Sequence, residues 1–122
     1  MHITTHGGFP HHRLDAYRVS LELAVKAKEL ADAVPRGYRT LADQLQRSGT
    51  APVMLVAEGA NRYYRGTKRQ RVSEARGEAG ECAAATELAA QLGLVPAQDA
   101  EQCIELADRL CAMLTRLIRR FS

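Results

Sequence analysis

Tryptophan is absent from the 122-residue sequence, and aromatic side chains make up only 5% of it. A core without large rings has to be assembled from aliphatic and small side chains. β-Branched residues are sparse and scattered, which argues against a sheet. No apolar run approaches the ~20 residues that a membrane-spanning helix needs. Residues 1–12 carry no apolar stretch of the kind a secretory leader uses, so a soluble, cytoplasmic protein is expected. No histidine follows His12, which rules out the Glu-x-x-His pairs of a di-iron bundle. For the same reason Cys82, Cys103 and Cys111 have no helical base that could make one of them a nucleophile. Three cysteines, an odd number without CxxC spacing, read as reduced core thiols. There is no GxxxxGK[ST] loop and no GxGxxG after a strand. Neither a catalytic residue nor a cofactor nor a bound metal is expected.

The carboxylate pairs that remain, Glu78 with Glu81 and Glu101 with Glu105, read as solvated helix faces. His2, His6, His11 and His12 sit in a Gly- and Thr-rich segment without periodicity, taken as a loose tail over residues 1–12. Chelation of a transition metal by His11 and His12 or His6 is the other use such a tail could have. Residues 13–122 form a single domain, large enough for a core without staples.

Ala, Leu, Glu, Arg and Gln dominate that domain, and they are strong helix formers. Four helices are predicted. The first runs from Leu14 to about Ala33, its broad apolar face formed by Leu14, Tyr17, Leu21 and neighbours, and Pro35 and Gly37 end it. The second spans roughly Tyr38 to Tyr64 with Pro52 kinking its middle; the other reading is two helices broken at Gly49–Pro52. The third starts after Gly66 with Thr67 as N-cap and ends at Gly93. Its middle is made of small residues, which suits close packing or a subunit interface. The fourth covers about Ala100 to Arg120, with Asp99 as a cap and Cys103, Ala107, Leu110, Leu114, Leu117 and Phe121 in amphipathic register. Arg116, Arg119 and Arg120 suit the negative end of its dipole. Short connections make consecutive helices antiparallel, an all-α up-and-down four-helix bundle.

The runs Leu41-x-x-Gln44-Leu45-x-Arg47 and Ala57-Glu58-Gly59-x-x-Arg62, then Ala75-Arg76-Gly77 with Glu81 beyond, give the chain a further signature. With the opening Leu14-x-x-Tyr17, the sequence resembles the proteins encoded in intervening sequences of bacterial large-subunit ribosomal RNA genes. The accessory variability determinants of diversity-generating retroelements are similar. The likeness covers about residues 13 to 121. The sequence departs from the pattern at Leu55, where an Asn is usual, at Pro52, shifted by one position, and at Ala60, where a large aromatic is common. The resemblance implies a non-enzymatic homo-oligomer, a ring of five bundles, assembled here through the small-residue surfaces of helices two and three. It also implies nucleic acid and a reverse transcriptase as partners of the retroelement members. Recurrence of the motif residues suggests a partly buried polar network of Gln44, Arg47, Glu58, Arg76 and Glu81, with Glu58 paired to Arg76, that fixes helix register; ordinary surface ion pairing is the other reading.

Formal net charge is only +3, from 17 Lys and Arg against 14 Asp and Glu, with a pI near 9.0. One segment concentrates it. Arg62, Arg65, Lys68, Arg69 and Arg71 surround Tyr63 and Tyr64 at the turn between helices two and three. Cations that hold phosphates beside rings that stack on bases are the combination used for single strands. The plainer reading is a solvated loop whose tyrosines pack on the bundle end. The sequence thus leads to an oligomeric, nucleic-acid-associated or adaptor protein that binds RNA or DNA. The rival is a scaffold that binds protein only.

Overall fold

In the computed structural model, which describes residues 7–122, four α-helices follow one another. They are α1 (Asp15–Ala33), α2 (Arg39–Asn61), α3 (Arg65–Gln91) and α4 (Ala97–Arg120). Short 3-10 turns, Pro10–Arg13 and Arg36–Tyr38, precede α1 and α2, and no strand occurs among the described residues. α1 packs on α2 and α4, and α3 packs on α2 and α4. With connections of only a few residues, that neighbour order is the up-and-down bundle. No described helix is long and apolar enough to cross a membrane.

Every interior position is apolar or small, at three- and four-residue steps. α1 contributes Val19, Leu23, Ala27 and Leu30; α4 contributes Cys103, Ala107, Leu110 and Leu114. α2 and α3 supply less volume: Gly49, Pro52, Val56 and Gly59 from one, Ala75, Ala79, Cys82 and Ala89 from the other. The consequence is close axial approach. A Cβ built on Gly49 would lie 2.2 Å from Ala27 Cβ. One built on Gly59 would meet Arg71 Cβ and Val72 Cγ2 at 3.2 Å. The leucines of α1 and α4, with Leu45, fill the centre, each worth about 1.5–3 kcal/mol when fully buried.

α2 continues without a break through Pro52, which is itself buried. The ring has no N–H for the Ser48 carbonyl. Hydroxyls on either side engage the helix backbone: Ser48 Oγ donates to Gln44 O at 2.8 Å, and Thr50 Oγ1 to Gln46 O at 2.8 Å. Such back-bonding bends helices and eases a proline into one.

Helix ends differ from expectation in four places. α2 stops at Asn61, short of Tyr64, where the chain turns extended at Arg62. α3 begins at Arg65, not after Gly66, because Lys68 N already donates to Tyr64 O at 3.0 Å; Thr67 is inside the helix and not its cap. α4 begins at Ala97, where Ala100 N donates to Pro96 O at 3.0 Å, so Asp99 lies in the first turn and reaches across to Lys26 Nζ at 3.1 Å. Residues 10–12, read as tail, belong to the first 3-10 turn. His11 meets Tyr17 edge-on at 4.6 Å, and Asn61 Nδ2 lies 2.8 Å from His11 Nδ1. Burial, with His12 alongside, lowers the His11 pKa. His2 and His6 lie outside the described residues. At the other end of α3, Gly93 adopts a left-handed φ of +72°. Leu94 N donates to Ala89 O and Gly93 N to Ala90 O, a Schellman cap that ends the helix where the glycine predicts.

Cys82 and Cys103 are buried, whereas Cys111 is half-buried, and all three are free. Hydrogen bonding to Cys103, together with burial, pushes the Cys82 thiol pKa up, as expected of a core thiol.

The Gly49 contact yields a stability test. Gly49→Ala is expected to destabilise the bundle by about 1–3 kcal/mol through overpacking, and Ala27→Gly in the same chain should recover part of that. Denaturant unfolding of the single and double variants checks both; additive losses would show that the two positions do not touch.

Candidate nucleic-acid interface

Alternating helix direction gathers the start of α1, the end of α2, the start of α3 and the end of α4 at one tip of the bundle. Cross-helix contacts tie them together there. Arg69 Nη1 donates to Phe121 O at 3.1 Å, and Lys68 Nζ sits 5.6 Å from the centre of the Phe121 ring. Asn61 meets His11 as described above.

The basic turn is therefore one part of a larger basic end. Taking residues 9–18, 58–74 and 113–122 as the tip, the turn and the start of α3 bring Arg62, Arg65, Lys68, Arg69 and Arg71. The other segments bring Arg13, Arg18, Arg116, Arg119 and Arg120. Only Asp15, Glu58 and Glu74 oppose these ten. The remainder of the chain has the opposite balance, seven cations against eleven carboxylates. A net charge of +3 thus conceals a strongly polarised molecule.

The cations of the turn divide by what holds them. Arg62 Nη2 donates to Glu58 Oε1 at 2.6 Å. Arg71 donates to Glu58 at 3.0 Å and to Glu74 at 2.6 Å. Lys68 Nζ closes onto Ala60 O at 2.8 Å, and Arg69 is bound to Phe121. Arg65 has no ion pair among the described residues, and neither do Arg13, Arg116, Arg119 and Arg120. Tyr63 and Tyr64 are 88% and 73% exposed, packed only edge-on against each other at 5.2 Å. They do not cover the bundle end, as the plainer reading of the loop would have it. Two rings stand in solvent amid cations.

The expected polar network is divided. Glu58 pairs with Arg62 and Arg71, not with Arg76, because the approach of Gly59 to Arg71 and Val72 sets the level at which α2 faces α3. Arg76 turns to α4, its Nε donating to Thr115 Oγ1 at 2.8 Å. Arg47 bridges Glu78 and Glu81 further along the same α2–α3 seam. Gln44 is exposed and joins neither cluster; its backbone carbonyl accepts from Ser48 Oγ. Two arginine–carboxylate clusters bridge α2 and α3, but their side chains are largely solvent-exposed, so they are surface pairs and not a partly buried network. The Arg62 hydrogen bond, with Arg71 beside it, lowers the Glu58 pKa below its ordinary 4.5.

A family model for the 23S rRNA-intervening sequence protein matches residues 12–116. The chain belongs to that family. A search of curated proteins finds no match. Among solved structures, this family member resembles a protein of unknown function from the S23 ribosomal protein family of Bacteroides thetaiotaomicron VPI-5482. The two are 21% identical with a TM-score of 0.81, over 85% of this chain and 98% of the other. At that identity the likeness establishes the fold.

The sequence reading missed Arg13, Arg18, Arg116, Arg119 and Arg120 as parts of the basic end, having assigned the last three to the α4 dipole alone. Topology was the available signal, since antiparallel helices bring residues near 13, 62, 65 and 120 together.

Glu58→Gln is expected to lower the melting temperature at neutral pH. Because the folded-state pKa of Glu58 is depressed, its ionised form stabilises above 4.5, and that contribution disappears as pH falls through the lower folded value. The wild-type and variant melting curves should therefore converge below pH 4.5; a constant gap would mean the carboxylate charge is not what stabilises.

Proposed function

We propose that the protein is a non-catalytic, cytoplasmic, nucleic-acid-associated member of its family. It binds single-stranded RNA or DNA end-on through the basic tip. The observation that carries this reading is the exposed Tyr63–Tyr64 pair among arginines without carboxylate partners. Bases would stack on the rings, and phosphates would meet Arg65 and Arg119 first. Arg62, Lys68, Arg69 and Arg71 shape the turn and add to its field.

Assembly multiplies such a surface. The outer face of α3 exposes Gly77, Gly80 and Ala84, and a Cβ on either glycine would meet nothing within 4 Å. An exposed mid-helix glycine costs about 0.5–1 kcal/mol relative to alanine, which a neighbour's close packing would offset. We take this face as the contact between copies standing side by side, in a ring of five as the resemblance has it. Parallel copies would present their tips on one face.

Salt and assembly test the two halves separately. Affinity of nuclease-treated protein for labelled single strands should fall steeply as salt rises, and Arg65→Gln or Arg119→Gln should each flatten the log–log slope by about 0.7. Tyr63→Ala or Tyr64→Ala should cost about 1–3 kcal/mol per lost stack with the slope unchanged. Charge reversal at Arg69 or Arg71 is a poorer probe, because both hold structure. Absence of binding at low salt would leave a protein-binding scaffold. For assembly, Gly80→Glu should shift the sedimentation coefficient to that of a monomer; an unchanged coefficient excludes this face.

A further inference from the structure

The α1–α4 seam opens at the tip into a cleft of about 260 Å3. Arg13, Arg116 and Arg120 line it, above an apolar floor that includes Leu14, Met113 and Leu117. Arg116 and Arg120 are four apart and so share one face of α4, while Arg13 comes from the 3-10 turn ahead of α1. None of the three has an ion pair among the described residues. Asp15 also lines the cleft, but its carboxylate is taken by Arg18.

Three arginines lining one small cleft favour a compact anion with several acceptor oxygens, and a phosphate monoester supplies three oxygens and nearly two charges. The floor adds a second requirement. Bare phosphate gains nothing from leucine and methionine, whereas a flat apolar ring attached to the phosphate would cover them. The seam also limits length. Its continuation, a cleft of about 490 Å3, is lined by Arg18 and Arg109 but also by Glu22, which has no ion pair among the described residues, so further phosphates there would face an unpaired carboxylate.

We infer that this tip cleft is a binding site for a single nucleotide unit, its phosphate held by Arg13, Arg116 and Arg120 and its base on Leu14, Met113 and Leu117. The unit is either a free nucleoside monophosphate or the phosphorylated end of a strand. The site shares no residue with the tyrosine turn, so it stands or falls independently of single-strand binding there. The plain rival is that Arg116 and Arg120 serve only the negative end of the α4 dipole.

Calorimetric titration of the full chain with adenosine 5′-monophosphate, inorganic phosphate and adenosine tests the site. The monophosphate should bind at least about tenfold more tightly than either fragment. The double variant Arg116→Gln with Arg120→Gln should lose about tenfold or more, while Lys28→Gln with Arg39→Gln, two cations outside the tip, leaves the monophosphate affinity unchanged. Thermal melts of the same samples confirm folding, and Met113→Glu, which places a carboxylate on the floor, gives a second route to the same loss. Competition by a 5′-phosphorylated trinucleotide, but not by its 5′-hydroxyl form, assigns the site to strand ends; no competition by either assigns it to free nucleotides. Equal affinity for inorganic phosphate and the monophosphate, or indifference to the arginine substitutions, overturns the proposal.

Discussion

A Cβ on Gly49 would stand 2.2 Å from that of Ala27, closer than two carbons can pack, so α1 and α2 meet as they do because that position carries only hydrogen. The same economy continues along the bundle. Gly59 seats α2 against Val72 and the Arg71 stem, and the alanines of α3 keep its axis near both neighbours. Close axes fix the level at which helices face each other, and that level decides which polar side chains can meet across the seams. Glu58 finds Arg71 and not Arg76 because Gly59, one residue on, is already in contact with residues 71 and 72. Small-residue packing thus comes first, and the arginine–carboxylate clusters follow its register.

That ordering explains how much could be read from the sequence. Apolar spacing in α1 and α4 is strong because leucines carry it, so those helices and the core positions Leu110 and Leu114 were legible, whereas in α1 the buried stripe is Val19, Leu23, Ala27 and Leu30, with Leu14, Tyr17 and Leu21 half-buried beside it. One helix running through Pro52 is the leading reading of the sequence, against two broken at Gly49–Pro52, and α2 is that single helix. Helix starts were not legible: Thr67 and Asp99 are good cap residues chemically, yet neither side chain caps a helix, because the chain turns earlier, at Tyr64 and Pro96. Cap preference is a local signal of about 1 kcal/mol, and the loop lengths that packing permits override it. Cys111 was placed in the core with Cys82 and Cys103, but it sits at the edge of the α3–α4 seam near the Arg76 carbonyl. Spacing alone does not distinguish a position inside a seam from one on its rim.

The candidate site was half legible. A run of cations and tyrosines between Arg62 and Arg71 is visible in one dimension, and its partners are not. Topology brings Arg13, Arg18, Arg116, Arg119 and Arg120 to the same end, while Glu58, Glu74, Ala60 and Phe121 engage most of the cations that the sequence singled out. Most of the conspicuous cations are structural ones, and, Arg65 apart, the free ones are Arg13, Arg116, Arg119 and Arg120, remote from the turn in sequence.

Whether a net charge of +3 can matter to a polyanion depends on where the charge lies. α3 has 27 residues and at 1.5 Å each spans about 40 Å. Screening in physiological salt acts over about 8 Å. The acidic body lies several screening lengths from the far side of the tip, so its carboxylates do not cancel the tip's field there, and a strand approaching end-on meets ten cations against three carboxylates. Approaching from the side, it meets the carboxylates of α3 and α4 instead. Charge polarity therefore selects an orientation as well as a ligand, and side-by-side copies could share one ligand only if their tips point the same way.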